Sequence, residues 1–315
     1  MDANPPRRAY PSDLTDAQWL LVQPLLPPPL PGGRHRTTNV REVLNAIFYL
    51  VKNGCGWRAL PHDFPPEGTV RDYFHRWRGN GTWERVNDAL RRQVRVQAGR
   101  AEEPSAGIID SQSVKATRTS GTRGYDAGKK INGIKRHVVV DTLGLLLVVV
   151  VHTAALQDRD GAKLVLAKAQ GHFPRLAMLW ADGGYAGKLI QWTQEICGWV
   201  LEIVKRNADL KGFVLLPRRW VVERTFGWMV QYRRLSKDYE FQPQTSEAMI
   251  QVAMIHLRFI RGKRTCACKG VDMLVPSEVA TTPRQELTAC PPAYSTTPSG
   301  FAATTTSARP TRRAA

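Results

Sequence analysis

The sequence predicts a small all-α region followed by an α/β domain built on a mixed sheet. Three observations support this. Before residue 100 the apolar residues recur with helical period, at 98–105 the composition turns small and polar, and beyond it short β-branched runs alternate with helical segments. The implied domains are 1–100, 105–263, and a Thr/Pro/Ala-rich tail at 264–315 that loses all periodicity and reads as disordered.

In the first region Thr15 and Gln18 have the spacing of a capping box ahead of Trp19, Leu20 and Val22. A Pro-rich linker at 24–33 follows. Asn39 caps the clearest amphipathic helix, with Val40, Val43, Leu44, Ile47, Phe48 and Val51 on one side. Thr69 caps another, in which Val70, Tyr73, Phe74 and Trp77 face inward while Arg71, His75, Arg76 and Arg78 face elsewhere. After a turn at Asn80-Gly81, Trp83, Val86, Leu90 and Val94 line a further helix. Short helices with an Arg-bearing one among them fit a helix-turn-helix arrangement that reads DNA, and equally a bundle with a solvated basic face.

In the second region 106–109 reads as a short strand ending in Asp110, followed by a basic Gly-rich segment. The runs 137–142 and 145–153 form a hairpin about Leu143-Gly144. A helix that follows Asp160-Gly161 and runs to about Gln170, a strand at 176–181 ending in Asp182, a helix at 187–197 and a strand at 199–204 come next. The segment 217–239 is expected to be one helix, with Pro217 at its first position. Arg219, Glu223, Gly227 and Arg234 lie on one side, and Val222, Phe226, Met229 and Val230 on an adjoining apolar stripe. A last helix, capped by Thr245 or Ser246, turns Met249, Val252, Ala253, His256 and Ile260 inward. This element order fits a ribonuclease H-like mixed sheet.

The balance of 45 Lys+Arg against 27 Asp+Glu, a net charge of +18, favours a polyanionic partner. The longest apolar run, 145–151, is far too short to span a membrane, and 1–10 lacks a signal-peptide core. Five scattered cysteines suit a reducing cytoplasm. Cys266 and Cys268 lack a second ligand pair for zinc.

Two strand-end aspartates and one helical glutamate, Asp110, Asp182 and Glu223, are the ligand types that hard Mg²⁺ or Mn²⁺ requires in a two-ion phosphodiester site. Asp141, Asp158 and Asp160 compete for the same role, and Glu223 could simply pair with Arg219. The two glycines after Asp182 allow close backbone approach to a ligand. Lys115, Arg118, Arg123, Lys129, Lys130, Lys135 and Arg136 form a basic run suited to phosphate. Gly124 to Lys129 fails as a nucleotide loop, because its glycines are too close and Lys130 replaces the Ser or Thr. The seven histidines show no ligand pairing, and His152 and His256 read as core residues.

The blocks LTDAQW, GWRALPHDFPPEGTVRDYFHRW, IIDSQSVK, GYDAGKKINGIKRHVVVDTLGLLL, WADGGYAG and LPRRWVVERTFGW together resemble the bacterial Asp-Asp-Glu transposases of insertion sequences, in the insertion-sequence-five group, from about Tyr10 to Ile260. The resemblance puts the catalytic, metal-binding triad on Asp110, Asp182 and Glu223. It implies a ribonuclease H-like core, two Mg²⁺ (or Mn²⁺) ions and an N-terminal region that binds double-stranded terminal inverted repeats. Of the related Tyr/Arg/Glu/Lys signature, Arg219 and Glu223 match, while Leu216 and Val230 depart from it; Arg233 or Arg234 could supply the missing charge. The DNA-contacting set is therefore Arg71, Arg76, Arg78, Lys115, Lys129, Lys130, Lys135, Arg136, Arg219, Arg233 and Arg234. The expected protein cleaves element ends, joins the 3′-OH to target DNA, works as a homodimer or higher synaptic assembly, and is cytoplasmic, nucleoid-associated when bound. A catalytically inactive DNA-binding repressor derived from a transposase is the alternative.

Overall fold

The computed structural model describes residues 7–29, 31–32, 36–204 and 219–267, with side chains to Phe259. Leu216, Pro217, the side chains of Ile260, Cys266 and Cys268, and the tail past Ala267 lie outside these described residues.

Four helices open the chain: α1 (Asp16–Val22), α2 (Val40–Asn53), α3 (Glu67–Gly79) and α4 (Thr82–Gln97). The Thr15–Gln18 capping box forms as expected. Asn39 accepts from the backbone N–H groups of Arg41 and Glu42 at the start of α2. α3 begins at Glu67, so Thr69 lies inside the helix and does not cap it. On α4, Arg91 and Arg95 point inward beside Trp83, Val86 and Leu90.

The sheet holds β1 (Ala106–Lys115), β2 (Gly124–Asp126), β3 (Ile131–Asp141), β4 (Leu146–Thr153), β5 (Met178–Ala181) and β6 (Val200–Ile203). Its order is β2-β3-β1-β5-β6, with β4 also on β3. β3 runs antiparallel to β1 and β4, whereas β5 and β6 continue parallel to β1. A hairpin feeding a central strand that is then extended by parallel strands is a ribonuclease H-like arrangement. β1 is longer than expected and takes in Ser111 to Lys115, because β3 pairs with it continuously from Gly107↔Asp141 to Lys115↔Gly133.

Side-chain alternation divides the sheet into two faces. Ile108, Val138, Val140, Val149 and Val151 share a core with α1 to α4, α7 (Trp220–Val230) and α8 (Pro243–Ala267). Ile109, Val139, Val148 and Leu179 face α5 (Asp158–Ala169), while Leu189 and Trp199 bring α6 (Lys188–Cys197) and the lead into β6 to the same core.

The expected long helix at 217–239 is interrupted. α7 stops at Val230, since Tyr232 takes extended backbone angles and turns its buried ring inward to meet His256. A 3-10 turn, Arg233–Leu235, follows. Val230 is exposed and leaves the apolar stripe, and Arg234 no longer shares a helical side with Glu223. α8 starts at Pro243, before either expected cap. Thr245 accepts instead from Arg78, and Ser246 donates to Asp238.

Asp141 is fully buried at the β3–β4 turn. It accepts from the N–H groups of Leu143 and Leu145 and meets the buried Arg95 at 2.5 Å. Removing one partner of such a pair strands the other charge. Asp141→Ala is therefore expected to lower stability by about 3–5 kcal/mol in urea unfolding followed by tryptophan fluorescence.

Candidate active site

The site starts from strand register. In the parallel pairing of β1 with β5, Gly107 lies opposite Leu179 and Ile108 opposite Trp180. Two residues further along each strand come Asp110 and Asp182, on the same face as Ile108 and Trp180. Asp110 is thus in the middle of β1, not at a strand end. It becomes available because its parallel neighbour β5 stops at Ala181. Asp182 caps a 3-10 turn, Gly183–Tyr185, by accepting from the N–H of Gly184 at 2.8 Å.

Glu223 sits in the first turn of α7, on the same face of the sheet. One guanidinium nitrogen of Arg219 lies 3.7 Å from Asp182 and 3.6 Å from Glu223. The i, i+4 pair expected for Glu223 is present, and the same arginine also reaches Asp182. From the other side the basic hairpin loop approaches. Asp126 accepts from the Lys129 N–H at 3.0 Å and from Ser113 at 2.6 Å, and Lys129 Nζ donates to the Ser111 carbonyl at 3.2 Å. Lys129 is thereby held one residue from Asp110.

Burial raises the Asp110 carboxyl to about 6. The neighbouring Asp182 adds to the rise, against the opposing bond from the Ser111 N–H and the charges of Arg219 and Lys129. A desolvated carboxylate beside a second one is relieved by a hard cation, so the Asp110–Asp182 donor set fits Mg²⁺ or Mn²⁺. Among the described residues no three acidic, His or Cys side chains are grouped closely enough to hold an ion; Arg219 stands between Asp182 and Glu223.

The expected competitors are otherwise engaged. Asp141 is the buried turn ligand described above, and Asp160 pairs with Lys163 in solvent. Asp158 meets Lys135 at 3.0 Å and accepts from Ser111 at 2.8 Å on the opposite face.

Of the expected DNA contacts, Arg71, Arg76, Lys115, Lys129, Lys130 and Arg233 are exposed, and Arg219 is partly so. Arg78 bonds Gln242 and Thr245, and Arg234 is tied to Glu240 at 2.7 Å and to the Cys55 carbonyl. Two positions need correction. Arg136 is buried and donates to the Leu235 and Lys237 carbonyls, with its guanidinium pushed down to about 10 by burial. Lys135 is buried on the other face between Asp126, Asp158 and the Leu156 carbonyl. Neither presents its charge to a surface.

A buried polar group lies behind Asp110, in which His152 is the core residue the sequence suggested while His137 and Tyr185 were not singled out there. It comprises His137, His152 and Tyr185, with His137 opposite Ser111 in the β1–β3 register. Reflecting the hairpin about Leu143-Gly144 and applying strand parity would have placed the two histidines on one face, diagonally adjacent.

A paired-carboxylate site on a ribonuclease H-like sheet defines a class of nucleic-acid-processing proteins, and family comparison narrows it. The Transposase DDE domain family matches residues 101–258, half of the chain, and the IS4/5 family of transposases matches 14–87. The chain belongs to the DDE transposases of insertion elements. It is 32% identical over 110 residues to the insertion element IS402 uncharacterized 16.2 kDa protein of Burkholderia cepacia, covering 33% of this chain and 73% of that one. It is 27% identical over 84 residues to the uncharacterized protein y4sN of Sinorhizobium fredii (strain NBRC 101917 / NGR234), covering 27% and 67%. Among solved structures, the Drosophila P element transposase strand transfer complex matches with 14% identity and a TM-score of 0.27 over 61% of this chain; the chain spans 45% of that protein. Among the described residues no helix is long and apolar enough to cross a membrane.

Because Asp110 is raised, its native site favours the protonated form. That preference stabilises the fold below the ordinary carboxyl range and is lost as pH rises through about 6. At pH 7 without added metal, Asp110→Asn should therefore raise unfolding free energy by roughly 1–3 kcal/mol, a gain that vanishes near pH 4. Paired urea titrations at the two pH values measure it.

Proposed function

We propose that this transposase binds the double-stranded terminal inverted repeats of its element, cleaves phosphodiester bonds there with divalent metal, and joins the freed 3′-OH to target DNA. The observation that carries the reading is the parallel register that sets Asp110 beside Asp182 under the helix bearing Glu223. Asp110, Asp182 and Glu223 would hold Mg²⁺ or Mn²⁺, two ions in all, whose contribution is Lewis acidity toward the oxygens of an in-line displacement.

The chain's own groups do the rest. Asp110, desolvated on a central strand, is an anchor with little freedom to move. Arg219 can trade its carboxylate contacts for a phosphate, where a guanidinium fork binds two oxygens at once. Lys129, tethered through Asp126 and Ser111, offers a positive charge at the rim of the same site. Arg71 and Arg76 on the outer side of α3, with Lys115 and Lys130, extend the positive surface along which a duplex backbone can lie. In this reading residues 1–100 recognise the element end, 105–263 perform the chemistry, and a homodimer or higher assembly brings two ends together in the cytoplasm, at the nucleoid.

Asp110→Asn and Asp182→Asn should each lower Mg²⁺-dependent end cleavage and strand joining by roughly 10³-fold or more while binding of inverted-repeat DNA changes only a few-fold. Cleavage at the wild-type rate by either variant would remove the proposal. A wild-type chain that binds repeats but is inert with Mg²⁺ and Mn²⁺ is the inactive repressor instead. End binding should also weaken about 10³–10⁵-fold between 50 and 200 mM salt if six to ten phosphates are neutralised, as a gel-shift series would show.

A further inference from the structure

Behind the carboxylates, on the α5 face of the sheet, three buried polar side chains form a chain whose hydrogen-bond directions are forced. His152 Nδ1 lies 2.9 Å from the Thr153 carbonyl, which can only accept, so that nitrogen carries the proton. His152 Nε2 is then an acceptor, and His137 Nδ1, 3.2 Å away, donates to it. His137 Nε2 is left to accept from the Tyr185 hydroxyl at 2.8 Å. Burial pushes His137 down to about 3 and lowers His152 too, so both rings are neutral at pH 7, as this pattern demands. Each donor along the chain has its acceptor.

The position of the chain matters more than its composition. Tyr185 ends the short turn that Asp182 begins, so it belongs to the exit of β5. His137 is on β3, opposite Ser111 of β1, one residue from the strand position of Asp110. The Tyr185 hydroxyl therefore spans from the end of β5, behind β1, to β3. It ties the turn holding Asp182 to the strand pair holding Asp110. α5 closes over the two rings at Gly161, where a Cβ would come 2.4 Å from His152 Nε2 and 2.7 Å from His137 Nδ1. That helix position has no room for a side chain.

A buried polar chain is costly unless every member is satisfied, and apolar side chains would fill the same space between α5 and the sheet more cheaply. What this chain supplies and an apolar filling would not is direction: it fixes the rotation of the Asp182–Tyr185 turn about the end of β5. We infer that Tyr185, His137 and His152 are positioning residues that hold Asp182 in register with Asp110, so that the affinity of the carboxylate pair for a divalent cation depends on the Tyr185 hydrogen bond. This rests on the reading that Asp110 and Asp182 bind the ion.

The test is Mn²⁺ binding to the full-length chain, followed by electron paramagnetic resonance, for the wild type, Tyr185→Phe and Asp182→Asn. Tyr185→Phe keeps the ring and removes only the hydroxyl, with its bonds to His137 and Ser111. It should weaken Mn²⁺ binding about 10–100-fold, the range for loss of a group that orients a metal ligand. The Mn²⁺ dependence of end cleavage should shift by the same factor, with the wild-type rate restored at saturating ion and repeat binding unchanged. A variant that is merely less folded would lose amplitude at every Mn²⁺ concentration. Wild-type Mn²⁺ affinity in Tyr185→Phe, with binding lost in Asp182→Asn, overturns the positioning role alone. Unchanged Mn²⁺ binding in Asp182→Asn overturns the metal reading beneath it. Should Tyr185→Phe fail to fold, ¹⁵N spectra of histidine-labelled wild-type chain decide the matter. The expected result is a His137 ring protonated at Nδ1, whose bare Nε2 resonance moves when Mg²⁺ is added. The opposite tautomer, or a resonance that Mg²⁺ leaves in place, overturns the inference.

Discussion

The parallel pairing of β5 with β1 is the constraint on which the site depends, because it alone decides that Asp110 and Asp182 are neighbours. Asp110 is flanked on its other side by Val138 of β3, which offers it no polar contact across the ladder. If β5 were paired one residue out of register, Asp182 would turn to the α5 face and the two carboxylates would be separated by the sheet. The register is held by apolar parity: Leu179 and Ala181 are buried on the α5 face and Trp180 packs on the other. A few apolar residues on one four-residue strand thus set the electrostatics of the site.

The two faces divide the work. One carries the carboxylates, Arg219 and the helix with Glu223, all partly open to solvent. The other carries the neutral His137–His152–Tyr185 chain, closed over by α5, and the buried ion pairs of Lys135. Lys135 and Arg136 illustrate the same partition: adjacent on β3, they point to opposite faces and satisfy different partners, Asp126 and Asp158 on one side and two backbone carbonyls on the other.

Much of this was legible in the amino-acid order. Asn39 and the Thr15–Gln18 pair announce their helices through local hydrogen bonds, and such signals need no tertiary context. The hairpin about Leu143-Gly144 was equally clear, since Gly144 takes a positive φ that suits the turn. What escaped depends on distant partners. The extension of β1 through Ser111 to Lys115 exists because β3 supplies a ladder for it, and the polar sequence there resembles a loop. The end of α7 is set by the burial of Tyr232 against His256, 24 residues away. Asp110, Asp182 and Glu223 stood out by residue type and family resemblance, whereas the link from Tyr185 to the two histidines required knowing that β5 lies beside β1.

The net charge of +18 invites a uniform picture of a basic surface, and the structure argues for a selective one. Arg91, Arg95, Arg136 and Arg258 are buried and bonded to carboxylates or carbonyls, so their charges organise the interior. A buried guanidinium can satisfy several acceptors at once, which suits it to joining a helix to a strand end, as Arg95 does with Asp141, or a strand to a turn, as Arg136 does with Leu235. The cations nearer solvent are on the outer side of α3, in the β2–β3 loop and at the start of α7, where Arg219 still pairs with Asp182 and Glu223. Of these, Lys129 is tied one residue from Asp110 and Arg219 lies 3.7 Å from Asp182, so positive charge stands beside the carboxylates that would otherwise repel a phosphate.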